Sequence, residues 1–195
     1  MNEQSKSIAR RKNDWRFANR WFVGRGIDIG CGEDPLKKED WPRVTEVVPY
    51  DVTYGNKDAR YLQEIPDASF DFAHSSHCLE HLTNVRSALT NWLRVLKPGG
   101  FVICAVPEEY LYESGAWPSR RNEDHKSSFT MRTNPIIPGS IHVLPMLWKM
   151  LVDVEHVELL TEGYDPKLFA QDQTLLGAEC AIEFVCRKPR ADRPW

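Results

Sequence analysis

Gly26-Ile27-Asp28-Ile29-Gly30-Cys31-Gly32 is an apolar segment that runs into alternating glycines. The stretch predicts a buried strand ending in a tight turn, where the missing Cβ lets backbone approach a ligand closely. Taken alone it fits an ordinary strand-to-helix turn as well as a cofactor turn, because short motifs recur by chance. The surrounding chain has to decide.

Working outward, the next strand candidate covers residues 44–50 and ends at Asp51, 21 residues after Gly30. That is close to the spacing at which a dinucleotide fold places its ribose-binding carboxylate. Asp58-Ala59-Arg60-Tyr61-Leu62 reads as a polar turn, and residues 65–74 as a turn feeding a third strand that stops at Ser75-Ser76-His77. From Leu82 onward, Val85, Leu89, Trp92, Leu93 and Leu96 recur at helical spacing, with Thr83 or Asn84 able to cap the start and Lys97-Pro98-Gly99-Gly100 as the stop. Residues 101–106 form a continuous apolar run, as a central parallel strand covered on both faces requires. Strand, helix and strand alternate, which predicts an α/β sheet. A helix over 141–152, with Pro145 in its first turn or kinking it, and strands over 154–160 and 178–185 complete the reading.

The 195 residues, 42% hydrophobic and 27% charged, predict one domain over 1–195. A net charge of -3 argues against a general nucleic-acid binder, and no apolar run reaches the roughly 18 residues of a membrane span. Five cysteines without a CxxC pair read as reduced thiols, hence a cytoplasmic protein. Residues 1–25 carry seven cations against two acids, with Trp15, Phe17, Trp21 and Phe22 interleaved. This predicts a basic N-terminal helix with solvated charges, or a lip that attracts an anionic substrate. Residues 107–130 are too long for a simple connection, and their aromatic content favours an ordered substrate lid.

A glycine turn after the first strand and an acid after the second suit either a dinucleotide or S-adenosylmethionine. Seating a pyrophosphate needs a helix N-terminus close to the turn, but the sixth position of the would-be GxGxxG is Pro35. S-adenosylmethionine has no phosphate to seat. At this point the chain resembles the class I S-adenosylmethionine-dependent methyltransferases: Asp28-Ile29-Gly30-Cys31-Gly32 looks like their first motif, Asp51 like the ribose acid, and Asp58-Ala59 like the adenine-contacting pair. Ser75-Ser76-His77 and the residues up to Leu82 resemble the segment after the fourth strand, and Leu96-Lys97-Pro98-Gly99-Gly100 the approach to the fifth. Asp34 stands where many members carry a third glycine. The resemblance implies a Rossmann-like, mostly parallel sheet of seven strands with helices on both faces and an antiparallel last strand. It also implies that Asp28, Gly30, Cys31, Gly32, Asp51, Asp58, Ala59, Ser75, Ser76 and His77 hold the cofactor, with S-adenosylhomocysteine as product. More narrowly, residues 76–81 and the lid are similar to small bacterial methyltransferases of polysaccharide and lipopolysaccharide biosynthesis.

Methyl transfer is an in-line displacement at a sulfonium carbon, so holding nucleophile and methyl in a near-attack geometry is the main task. A hydroxyl nucleophile also loses a proton, and His81 and His125 are the two candidate bases. A variant has His77, Glu80, His81 and His125 hold a divalent ion, but one helical turn bearing such types is common by chance, and no metal ligand is assigned. Ser75-Ser76-His77-Cys78 occupies the place where nucleic-acid amino-methyltransferases carry an (N/D)PP(Y/F) tetrapeptide, which disfavours base methylation. The expectation is a methyltransferase acting on a hydroxyl of a glycan or glycan precursor, as monomer or homodimer. Its rivals are a small-molecule or quinone-type methyltransferase and a non-catalytic cofactor-binding subunit.

Overall fold

The computed structural model describes residues 3–55 and 57–190; the first two residues of the predicted basic helix and the last five of the predicted domain lie outside the described residues. The main sheet contains β1 (Gly24–Ile29), β2 (Val44–Tyr50), β3 (Phe70–Ser76), β4 (Leu96–Pro107), β7 (Asp153–Leu160) and β8 (Ala181–Arg187). Their order is β2-β1-β3-β4-β8-β7, and β8 alone runs against its neighbours. Two short strands, β5 (Phe129–Thr130) and β6 (Ile141–His142), pair separately.

The Rossmann-like class and the antiparallel last strand are as expected, but the main sheet has six strands among the described residues and not seven. The reason lies in residues 58–66, which leave the edge beyond β2 open. Their carbonyls are taken by side chains of α2 (Val85–Val95): Trp92 Nε1 donates to Ala59, Asn91 to Arg60, and Arg94 to Leu62 and Ile65. With those acceptors satisfied, the segment folds as turns and not as an edge strand.

Alternation along the strands sends two sets of side chains to two faces. Ile27, Ile29, Val102, Cys104, Val106, Ile182, Phe184 and Cys186 meet α2 and α3 (Val143–Lys149), with Leu89, Trp92, Val95 and Leu147 filling the layer. The Asn84 side chain accepts from Ser87 N and caps α2, and Pro145 sits in the first turn of α3, where its missing N–H costs nothing. The opposite face meets the N-terminal segment. The predicted single helix is instead α1 (Glu3–Asn13) followed by a turn of π-helix, Phe17–Trp21, and Phe17, Trp21, Phe22, Leu36 and Trp41 pack there on Phe72, Ile103 and Val185.

Of the cations in that segment that pair with acids, only Arg10 and Arg11 are drawn into the fold, whereas Lys12, Arg16, Arg20 and Arg25 stay well exposed to solvent beside their partners. Arg10 pairs with Glu179 and Glu183, Arg11 with Glu183, Lys12 with Asp40, Arg20 with Glu155 and Arg25 with Glu46. Arg11 and Glu183 are both 0% exposed. No helix among the described residues is long and apolar enough to cross a membrane.

Candidate functional site

The C-terminal ends of β1, β2 and β3 open into a cleft of about 530 Å³ lined by Gly30, Asp51, Lys57, Asp58, Ala59, His77, Cys78 and His81, among others. This is the point where strand order reverses between β1's two neighbours, the usual ligand position in an open α/β sheet. The backbone between β1 and β2 contains only a single 3-10 turn, Lys38–Asp40, so no α-helix follows the glycine turn along the chain. With Pro35 at the sixth position the crossover supplies no helix of its own for a pyrophosphate to rest on.

The glycine turn is built for close approach. Gly30 has φ of +69°, and a Cβ there would lie 2.2 Å from Cys78 Sγ. Gly30→Ala is therefore expected to cost about 2 kcal/mol from the left-handed backbone alone, lowering the melting temperature by roughly 4–8 °C. A thermal melt unchanged from wild type would refute that account of the turn.

Asp28 does not face the cleft. It is buried, with Oδ2 accepting from Leu36 N at 2.5 Å and Oδ1 held by His74 Nδ1 at 2.6 Å. Arg11 can only donate, and its NH1 lies 3.1 Å from His74 Nε2, which places the imidazole hydrogen on Nδ1, toward Asp28. The first-motif acid thus organises the turn from behind and is not part of the cleft lining. Ser75 is likewise turned inward, its Oγ donating to Ile29 O at 2.9 Å. Asp34 ties the turn to α1, accepting from Ser5 N and Oγ, an acid at a helix N-terminus.

Asp51 faces the cleft. Its carboxylate lines the cleft while accepting from Gly32 N at 3.2 Å and Thr53 N at 2.9 Å. Asp58 lines it too, but it is paired with Arg60, whose hydrogen bonds hold its carboxyl below the usual range. Ser76 Oγ lies 3.1 Å from His77 Nδ1. Burial, then the positive charge of Lys6, pulls His77 down to about 3, so the ring beside the cleft is neutral. Burial and the Asp28 charge push the Cys31 thiol up to about 12, and burial and the Glu80 charge raise Cys78 likewise.

His81 and His125 come together although 44 residues separate them, with ring centroids 4.9 Å apart at an interplanar angle of 81°. His81 ends the 3-10 turn Leu79–His81 after β3, and His125 comes from the segment over 107–130. Their Nδ1 atoms are held by carboxylates: His81 by Asp124 at 2.9 Å and His125 by Glu113 at 2.7 Å. Only His81 reaches the cleft; its side chain is 27% exposed, whereas that of His125 is buried behind it. Burial lowers the pKa of His81, the neighbouring His125 adds to this, and Asp124 opposes both. The 107–130 segment is tied down by two buried acids that bind backbone N–H groups and by the main-chain carbonyl of Glu80. Glu108 accepts from Tyr110 N and Leu111 N, Glu109 from Ile136 N and Ile137 N, and Glu80 O accepts from Lys126 N and Ser127 N.

Residues 6–162 match the methyltransferase domain family. The chain belongs to that family. No curated protein matches this methyltransferase in sequence. Among solved structures, it is similar to an S-adenosylmethionine-dependent methyltransferase from Mesorhizobium loti, with 17% identity, 91% and 100% of the two chains covered and a TM-score of 0.58. It is also similar to Haemonchus contortus phosphoethanolamine N-methyltransferase 2, solved with S-adenosylmethionine, at 15% identity, 93% and 53% coverage and a TM-score of 0.61. A Haloferax volcanii protein solved with the Trm112 methyltransferase activator matches at 16% identity, 96% and 97% coverage and a TM-score of 0.60. At these identities the likeness is one of fold.

The sequence did not single out Glu113 or Arg11. Nothing local marks Glu113 as the partner of His125. For Arg11 a signal existed in two acids, Glu179 and Glu183, set in an otherwise apolar run, since a buried carboxylate calls for a buried cation.

Proposed function

We propose that this methyltransferase takes the methyl group of S-adenosylmethionine and passes it to a hydroxyl of a glycan or glycan precursor, releasing S-adenosylhomocysteine. The observation that carries this reading is the position of His81, whose ring lines the same cleft as Gly30, Asp51 and Ala59 and is oriented by Asp124. Asp51 is the acceptor for the ribose hydroxyls, the Asp58-Ala59 turn lies where the adenine would rest, and the open turn at Gly30-Cys31-Gly32 admits the amino-acid end.

Around a sulfonium the charges are suitable. A neutral His77 adds no positive charge beside it, and thiols at Cys31 and Cys78 that stay protonated do not compete with the acceptor for the methyl. The acceptor hydroxyl loses its proton at the His81–His125 pair. The glycan acceptor rests on the sequence likeness of residues 76–81 and of the 107–130 segment to methyltransferases of polysaccharide biosynthesis, and backbone bonds from Lys126 and Ser127 to Glu80 O keep that segment over the pair.

His81→Ala and His125→Ala, made separately, are expected to cut turnover about a hundredfold or more at one of them, with the affinity for S-adenosylmethionine preserved. If both retain near wild-type rates, proton removal does not occur there. Methyl label should enter a carbohydrate fraction as a base-stable ether; label recovered on an amine or as a carboxyl ester would overturn the hydroxyl acceptor.

A further inference from the structure

We infer that Glu80, His81 and His125 are the protein ligands of a divalent transition-metal site, zinc in its chemistry, on the inner wall of the cleft. Glu80 Oε1 lies 3.9 Å from His81 Nε2 and 4.0 Å from His125 Nε2, and the three ligand atoms lie within 4.8 Å of one another. These distances are too long for hydrogen bonds between the rings and the carboxylate. They are somewhat wider than the roughly 3.3 Å between donors around a tetrahedral ion with bonds of about 2.0–2.1 Å, so modest side-chain rotation closes the site. His77, the fourth ligand considered from sequence, is not part of this group.

Orientation is the second argument. A carboxylate only accepts, so Asp124 and Glu113 fix the hydrogens of His81 and His125 on Nδ1 and leave both Nε2 lone pairs directed toward Glu80. Carboxylate, imidazole and metal in series is the arrangement that fixes the tautomer of metal-binding histidines and raises their basicity. Here it occurs twice around one point. A third argument is anchoring: Lys126 N and Ser127 N donate to Glu80 O at 2.7 and 3.1 Å, which clamps the segment carrying His125 onto the turn carrying Glu80 and His81.

Two histidines and one carboxylate leave a coordination position open, as in catalytic zinc sites, and the cleft-facing edge of His81 puts that position on the acceptor's side. What the ion does there rests on the hydroxyl-transfer reading; that it binds does not. Coordination of the acceptor hydroxyl lowers its pKa and the proton leaves to solvent water. The oxygen then forms a bond to the methyl carbon, and the electron pair of the breaking S–C bond returns to sulfur, giving a methyl ether and S-adenosylhomocysteine. With the ion bound both Nε2 lone pairs are engaged, so this scheme replaces the direct proton acceptance at the His81–His125 pair proposed above, and turnover that a chelator abolishes and zinc restores separates the two.

The test uses tag-free full-length protein freed of metal by chelator and titrated with Zn²⁺ and with Co²⁺. Wild type is expected to take up one equivalent of zinc and to give the strong visible bands of four-coordinate Co²⁺. His125→Ala and Glu80→Gln should weaken zinc binding at least about a hundredfold, Asp124→Asn about tenfold, and His142→Ala not at all. Should Glu80→Gln fail to fold, His81→Ala, at the half-exposed ligand, must show the same loss. Zinc binding by wild type no tighter than by His125→Ala, or an equal loss in His142→Ala, overturns the site. S-adenosylmethionine titrated into the same metal-free protein separates the two readings. Cofactor binding without zinc binding removes the metal site and keeps the cofactor cleft; zinc binding without cofactor binding does the reverse.

Discussion

Glu183→Ala is expected to destabilise the protein by about 3–5 kcal/mol, the cost of leaving a buried charge without its partner. The charge is that of Arg11, fully buried between α1 and the sheet, whose Nε and NH2 donate to Glu183 Oε2 at 2.8 and 2.6 Å. Arg10 adds hydrogen bonds to both Glu183 oxygens, so one carboxylate holds two guanidinium groups. Burial alone would raise the Glu183 pKa, but the charges and hydrogen bonds of Arg11 and Arg10 outweigh it and bring it down to about 2. A depressed carboxylate stabilises the fold above its ordinary pKa of 4.5 and loses that contribution as pH falls from there toward 2. Chemical denaturation followed across that window should show an acid-dependent loss in wild type that is reduced in Glu183→Gln. Replacing both partners by apolar residues, Arg11→Met with Glu183→Leu, should recover most of the stability lost in Glu183→Ala. A single-variant loss below about 1 kcal/mol would mean that solvent reaches Arg11 and that the network is peripheral.

That network also shows where reading the chain in one dimension stops. Periodicity and turn chemistry act over a few residues, and they located the glycine turn, the Asn84 cap, the apolar stripe of α2 and the strand that ends at Asp51. They also marked Pro35 as a break in the GxGxxG spacing, and no helix follows that turn along the chain. What they could not convey is direction. Asp28 and Asp51 each sit at the end of a strand, yet Asp28 turns inward to Leu36 N and His74 while Asp51 turns to the cleft. The choice follows from the strand pleat and from Arg11, more than sixty residues away from His74 in sequence, beyond any local pattern. Ser75, on the other face of β3 from His74, turns inward for a different reason, its hydroxyl donating to Ile29 O. The missing seventh strand was decided by Arg94, Asn91 and Trp92 claiming carbonyls of the 58–66 segment, a competition between side chain and ladder that composition does not reveal. His81 and His125 were legible as types; their meeting, and the carboxylates behind each, required the fold.

Asp51→Ala is expected to weaken S-adenosylmethionine binding by roughly 10²–10⁴-fold. Two hydrogen bonds from ribose hydroxyls to an ionised acceptor are each worth about 1.5–3 kcal/mol, and both go. The same carboxylate spans the cleft mouth in the free protein, with one oxygen on Gly32 N and the other on Thr53 N. Its loss therefore also releases the glycine turn from the end of β2, and part of the affinity change comes from a turn that must be ordered again on binding. Asp51→Asn tells these contributions apart. The amide oxygen can still accept from a backbone N–H, so the turn stays held, but the charge and one acceptor are gone. Calorimetric titration should place Asn between Ala and wild type. If Asn matches Ala, the charge on the ribose dominates; if Asn matches wild type, Asp51 acts mainly as a latch between two turns. Binding by Asp51→Ala within a few-fold of wild type would move the cofactor out of this cleft altogether. In that case the His81–His125 pair would face no methyl donor, and the proposed chemistry would fall with the site.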